Sequence, residues 1–227
     1  MKRILYILAI LFSLSIHAQI MPPIPFGQVQ AATTCTVCST WDPAKQGGSV
    51  TLSGGDLVVN VPVGLSRCGI STVGETSGKW YWEIVWSTGV TYGFVGIALS
   101  TVNLNQFLGG NNAGWGYYYT GDRWHTPPGL QGYGTGFTDG EVVGVALDMD
   151  NGAVYFRNSS GWVGGGIPWS GSAKIGAAYS TGLSGNTIYA AWGIGDSNAQ
   201  PGIQVSANFG ASPFTYSVPY GYNAGLF

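Results

Sequence analysis

Charge is scarce in this sequence. Eight Lys and Arg and ten Asp and Glu make up 8% of the 227 residues, against about 25% in an ordinary globular domain. Two of the eight basic residues, Lys2 and Arg3, sit at the extreme N-terminus, and the formal net charge is −2. Nucleic-acid binding needs clustered Lys and Arg to neutralise phosphates, so nucleic acid is excluded as a partner. An anionic membrane surface is a poor partner for the same reason. Cysteine is limited to three residues and histidine to two. Ala, Glu, Lys and Leu are too thin to build long helices, and no G-X-Y period exists for a collagen helix. Disorder of the whole is excluded as well, because it calls for high charge and few aromatics. Here Phe, Trp and Tyr reach 14%, and 38 residues are glycine. A turn-rich, β-rich globule with little surface charge is what remains.

Only one long apolar run occurs, Ile4 to Ile16, behind the basic pair Lys2-Arg3. It is shorter than the ~20 residues a membrane span needs. Residues 1–19 therefore read as a signal peptide with Ala18 at the cleavage site, and Val29-Gln30-Ala31 offers a second one. The expectation is an exported or cell-surface protein with no membrane span in the mature chain. Residues 20–39 (IMPPIPFGQVQAATT, then CTVCS) contain Pro and lack charge and period, so they read as a linker or arm ahead of one domain, 40–227.

Cys35-Thr-Val-Cys38 has redox or zinc spacing. Zinc would need two further ligands, and only His125 and Cys68 remain in the mature chain. In an oxidising compartment the plain reading is a structural disulfide. Cys38 with Cys68 is the expected pair, which leaves one thiol over.

From Thr40 onward, short apolar or alternating runs are separated by Gly, Asn, Asp, Ser and Pro, the pattern of an all-β sandwich or barrel. The predicted strands are 49–53, 56–61, 79–86, 92–99, 115–120, 141–148, 153–157, 174–180, 188–192 and 203–209. Lys79–Trp86 is the most informative. Trp80, Trp82, Ile84 and Trp86 share one face, to be buried, and Lys79, Tyr81, Glu83 and Val85 share the other, to be half-wet. Glu141–Asp148 is apolar on both faces and reads as a central strand. Ser53-Gly54-Gly55-Asp56 and Asp150-Asn151-Gly152 read as hairpin turns, the second of type I′.

The order of motifs is then distinctive: Thr40-Trp41-Asp42-Pro43; Gly78-Lys79-Trp80-Tyr81-Trp82-Glu83; Tyr92-Gly93-Phe94-Val95-Gly96-Ile97; Gly140 to Gly152 (GEVVGVALDMDNG); and Asn208-Phe209-Gly210 with Pro213-Phe214. The series resembles the SPRY domain, the core of the B30.2 module, in the versions found in bacterial and bacteriophage surface proteins. It covers about Trp41 to Tyr222. The resemblance implies a bent antiparallel β-sandwich of the concanavalin-like kind and a binding module without catalysis, whose ligand surface is made by variable loops. One departure is Ile188-Tyr189-Ala190-Ala191-Trp192, where family members often carry Tyr-Pro.

No catalytic set emerges from the residues. His125 lacks the neighbours of a triad, and no G-x-S-x-G is present. Asp148 to Gly152 departs from calcium-loop order at its fifth and twelfth positions, where Gly152 and Ser159 stand. A glycan hydrolase would need two carboxylates flanking one bond. Neither metal nor cofactor is called for. Asn158-Ser159-Ser160 has the form of a glycosylation acceptor. The candidate ligand-binding residues are aromatic and basic: Tyr118, Arg123, Trp124, His125, Trp162 and Trp169. They suit either of two tasks, anchoring a protein partner or stacking on sugar rings. The expected function is a module for protein interaction or for surface or virion assembly, self-assembly included, through loops 120–136 and 159–170. The alternative is a secreted carbohydrate-binding protein.

Overall fold

A computed structural model describes residues 37–62, 65–195 and 202–227. The expected signal peptide, most of the expected arm and Cys35 lie outside the described residues. Two sheets stack face to face. Sheet A contains β1 (Trp41–Gln46), β4 (Arg67–Glu75), β13 (Ile188–Ile194), β6 (Gly93–Ala98), β7 (Gly114–Tyr118), β8 (Asp122–His125) and β9 (Gly129–Gly132), in that spatial order. Sheet B runs β12 (Gly161–Trp162), β11 (Ala153–Asn158), β10 (Val142–Asp148), β5 (Lys79–Thr88), β14 (Ile203–Asn208), β3 (Val58–Val61) and β2 (Thr51–Ser53). A last short strand, β15 (Asn223–Ala224), pairs with β5 in parallel, while the other pairings are antiparallel. Two short 3-10 segments, Val163–Gly165 and Pro168–Ala173, follow β12.

Period two decides the core. Trp82, Ile84 and Trp86 of β5 and Val143, Val145 and Leu147 of β10 point inward from sheet B. Val95, Ile97, Trp115, Tyr117, Ala190, Trp192 and Ile194 meet them from sheet A. Burial of so many large side chains is the main driving force for the stack. The face assignment of β5 holds, with Trp80 half-buried at its end. The opposite face is drier than its sequence suggests. Tyr81 and Glu83 are buried, because the segment after β14 lies across them.

That segment is fastened by the NFG motif and by Glu83. The Asn208 amide donates to the carbonyls of Ser212 and Pro213, both at 3.1 Å, and closes the turn. Phe209 enters the core edge-on to Trp41, ring centres 5.1 Å apart. Gly210 has φ 108° and lies against Gly225 and Ala224, with no room for a Cβ. Phe214 meets Tyr81 edge-on at 5.1 Å. The Glu83 carboxylate accepts the backbone N–H groups of Thr215 and Tyr216, each at 2.8 Å, and the Tyr81 hydroxyl at 2.9 Å. Beneath it, Gly144 leaves space for the Tyr81 ring and for the Arg157 stem at 2.7 Å from where a Cβ would stand.

The outer face of sheet A is covered by residues 99–113, through Val102, Leu104, Phe107 and Leu108. Leu108 is fully buried. It fills a socket floored by Gly96, Gly114 and Gly193, where an added Cβ would stand 2.8, 2.9 and 2.5 Å from Leu108 carbons. The glycines of YGFVG and of AAWG are therefore packing residues as much as turn residues.

Several expectations need correction. Residues 174–180 form no strand. Lys174 and Gly176 have positive φ, and one isolated bridge joins Tyr179 to Val154. Conversely β1, β4, β8, β9, β12 and β15 escaped the pattern. In β1, Pro43, Asp42 and Lys45 disguise an edge strand, and β4 is rich in Gly, Ser and Thr. The Asp148–Ala153 turn is not type I′: φ is positive at Gly152 but not at Asn151. The Asp148 carboxylate instead accepts the Asn151 backbone N–H at 3.0 Å and its amide at 2.8 Å, and pairs with Lys79 at 3.1 Å. The Cys38–Cys68 disulfide does not form. Cys68 is a buried free thiol whose Sγ contacts the Asn103 carbonyl at 3.4 Å, and burial pushes its pKa up to about 12. Cys38 is disulfide-bonded, and not to Cys68. Ser39, just ahead of β1, is buried and donates its N–H to the Leu226 carbonyl at 2.8 Å.

Two stability measurements check these attachments. Leu108→Ala should cost about 2–5 kcal/mol in chemical denaturation, because the glycine floor cannot collapse into the hole. Glu83→Gln should cost about 1–3 kcal/mol by turning one acceptor toward N–H groups as a donor, and hydrogen exchange at Thr215 and Tyr216 should accelerate.

Candidate functional site

The six candidate residues do not form one cluster. Alternation along β8 sends Trp124 to the outer face of sheet A, and Arg123 and His125 to the other side. There Arg123 donates through Nη1 to the Ala178 carbonyl and lies 5.8 Å from the Tyr179 ring centre. His125 Nδ1 is 2.8 Å from the Gly114 carbonyl, and its ring stacks on Trp115 with centres 4.8 Å apart and planes 7° apart. The Tyr179 hydroxyl donates to the Gly116 carbonyl at 2.7 Å. Arg123 and His125 thus tether the 177–180 segment to the edge of sheet A. Both side chains are held by these contacts and keep part of their surface in solvent.

Trp162 belongs to a different place, on the outer side of sheet B. The Arg157 guanidinium sits between its ring, 5.4 Å away, and the Tyr216 ring, 4.0 Å away. Arg157, Glu141 and Glu83 all act on the Tyr216 hydroxyl, whose pKa is raised first by burial. Trp162 is therefore one wall of a cation cage that helps dock the C-terminal segment. Trp169, 55% exposed on the second 3-10 segment, stands apart, with Ile175 as an exposed neighbour in the chain.

Tyr118 and Trp124 do come together, and with residues the sequence did not single out. Tyr92 meets Tyr119 with ring centres 6.3 Å apart, and Tyr119 meets Tyr118 at 4.7 Å. Tyr118 meets Trp124 at 6.1 Å, and Trp124 meets Phe107 at 4.8 Å. All five rings keep part of their surface in solvent, Tyr92 the most at 40%. Phe94 lies under the middle of the seam, buried, 4.5 Å from Tyr118. The result is a continuous, half-exposed aromatic seam across sheet A, from the start of β6 to the 99–113 segment. Burial, then the neighbouring Tyr119, Tyr92 and Asp122, push the pKa of the Tyr118 hydroxyl up to about 12. The signal for Tyr92 was its place before Gly93 at a turn, where it takes φ 69°. Tyr119 follows the last residue of β7, so strand alternation could not assign its side.

The apparent glycosylation acceptor is interior. Asn158 is buried, and its amide nitrogen donates to the Tyr117 hydroxyl at 3.2 Å, Thr135 Oγ1 at 3.1 Å and the Gly136 carbonyl at 2.7 Å. Next to it, Glu141 accepts from Ser159 at 2.9 Å and Thr138 at 3.1 Å. Burial works against that carboxylate, yet these bonds hold its pKa below the usual range. Among the described residues, no three His, Cys, Asp or Glu converge as metal ligands.

A two-sheet antiparallel sandwich with covered outer faces is the class this geometry defines. Residues 79–174 match the family model of the SPRY domain. Ran-binding protein 9 of Xenopus laevis is 33% identical over 147 residues, which span 62% of this chain and 23% of that protein. Ran-binding protein 10 of Danio rerio is 30% identical over 146 residues, 62% of this chain and 21% of that protein. The chain thus spans less than a quarter of the length of these curated relatives. The SPRY domain of human HERC1 superposes with a TM-score of 0.58 at 22% identity, over 74% of this chain and 96% of that one. Stonustoxin superposes with a TM-score of 0.54 at 22% identity, over 76% of this chain and 27% of that one. Residues 79–174 are thus similar to the SPRY domain, and the sandwich as a whole has the fold of one. These sequence relatives are vertebrate proteins, and the finer likeness to bacterial and bacteriophage members has no counterpart among them.

A folded chain secreted from a eukaryotic host should carry no glycan on Asn158, as intact mass would show, because a sugar there would break the three bonds of its amide. Asn158→Ala should cost about 1–3 kcal/mol in denaturation by orphaning their acceptors.

Proposed function

We propose that the chain is an exported, non-enzymatic module that binds a protein partner through the aromatic seam Tyr92–Tyr119–Tyr118–Trp124–Phe107. The seam is the observation that carries this reading. Tyr and Trp concentrate binding energy at interfaces, because they offer large, stiff, amphipathic surface at small entropic cost. The charge-poor surroundings suit the core of a contact, from which charged residues are depleted. The names of the vertebrate relatives record Ran as a partner of those proteins, which supports protein recognition as the task of the shared region. The disulfide at Cys38 supports an oxidising compartment and hence export. Surface or virion assembly is the setting the charge-poor, glycine-rich composition favours.

The test uses the full chain with Tyr92→Ala and Tyr119→Leu, which remove two partly exposed rings and keep an apolar side chain where Tyr119 packs on the edge of the core. Ran is the first ligand to titrate, followed by any protein the wild-type chain captures and a second copy of the chain. Affinity for the true partner should fall about 30-fold, the effect of losing a contact of ~2 kcal/mol, with an unchanged thermal midpoint. Equal affinity for wild type and double variant would remove the seam from the interface.

A further inference from the structure

Irregular chain lies over much of both outer faces, but among the described residues one stretch of sheet B is open. There the cross-strand register sets Thr51 of β2 beside Asn60 of β3, Asn60 beside Gln204 of β14, and Gln204 beside Thr88 of β5. These four side chains make a polar row across four strands, with steps of about 4.8 Å. A register shift in the pairing of β14 with β5 brings Thr88 into the row. The row floors an open groove of about 520 Å³, whose walls include Ser49 and Pro62. No charged residue and no aromatic ring lines it.

The amides are pre-oriented. Gln204 Nε2 donates to Asn60 Oδ1 at 3.2 Å, and Asn60 Nδ2 donates to Ser53 Oγ at 3.1 Å. Thr88 Oγ1 donates to the Gly202 carbonyl at 2.5 Å. Each amide NH2 has two hydrogens and each amide oxygen two lone pairs, so these bonds leave donors and acceptors over. Fixing the chain in one direction lowers the entropy lost when a ligand uses what is left.

We propose that this groove is a binding subsite for a neutral, polyhydroxylated ligand, an uncharged oligosaccharide. A protein anchor would need an aromatic or Arg socket, and a charged ligand would need a counter-charge; the lining offers neither. A hydroxyl-rich chain both donates and accepts, and that is what a row of amides and hydroxyls answers. The site is separate from the aromatic seam on sheet A, so the two readings stand or fall independently.

The experiment titrates the full chain with cellohexaose, maltohexaose and laminarihexaose, with a heparin hexasaccharide as the charged control. Backbone amide resonances of Thr51, Asn60 and Gln204 report occupancy. At least one neutral hexasaccharide should shift them saturably, and Asn60→Ala with Gln204→Ala should weaken binding about tenfold, as expected for one or two lost hydrogen bonds. Thr51→Val, at an exposed position that leaves the amide pair intact, should weaken the same binding and serves if the double variant fails to fold. Silence across the neutral panel overturns the proposal. So does binding that responds only to heparin, or binding that survives these substitutions but is lost in Trp169→Ala.

Discussion

Leu108 reaches the outer face of sheet A because three glycines beneath it have no side chain to meet it. The same device recurs on sheet B, where Gly144 admits the Tyr81 and Arg157 side chains and Gly210 and Gly225 pass against one another. Close approach of irregular chain to a flat sheet is the constraint on which this molecule depends. Burial of that surface is worth having only if dispersion contacts form at full density, and a single Cβ would hold the layers apart. The abundance of glycine, odd as a compositional fact, becomes a packing requirement once the coverings are seen.

The coverings are also why the aromatic seam exists. The 99–113 segment brings Phe107 against Trp124, and the rings from Trp124 to Tyr92 continue along its edge. Border rings are half-packed: their lower edges rest on Phe94 and their upper edges meet solvent. A residue in that position is held in one rotamer by its neighbours before any partner arrives, which reduces the ordering cost of a contact.

Much of the core was legible in the sequence, because period-two burial in β5 and β10 rests on local spacing. What was illegible depended on chain far away. Glu83 looks like a solvent-facing residue until the segment from Phe214 to Tyr216 lies over it. Tyr81 looks half-wet for the same reason. Asn158 carries the acceptor pattern of a surface turn, yet its surroundings come from residues 117 and 135–136, which no local window includes. Among the site candidates, Trp124 and Tyr118 share the outer face of sheet A. Arg123, His125 and Trp162 are each held by a partner, Tyr179, Trp115 and Arg157 in turn, which their residue types alone do not reveal. The Cys38–Cys68 pairing failed because Cys68 lies in the satellite core under the 99–113 segment, a place composition does not reveal.

The bond from Ser39 N–H to the Leu226 carbonyl has an architectural consequence. The backbones just ahead of β1 and just after β15 are joined there. A sandwich closed in this way can be spliced between two halves of another polypeptide, or strung in series, while leaving the host's ends nearly touching. The unit is therefore suited by its geometry to travel as an insert.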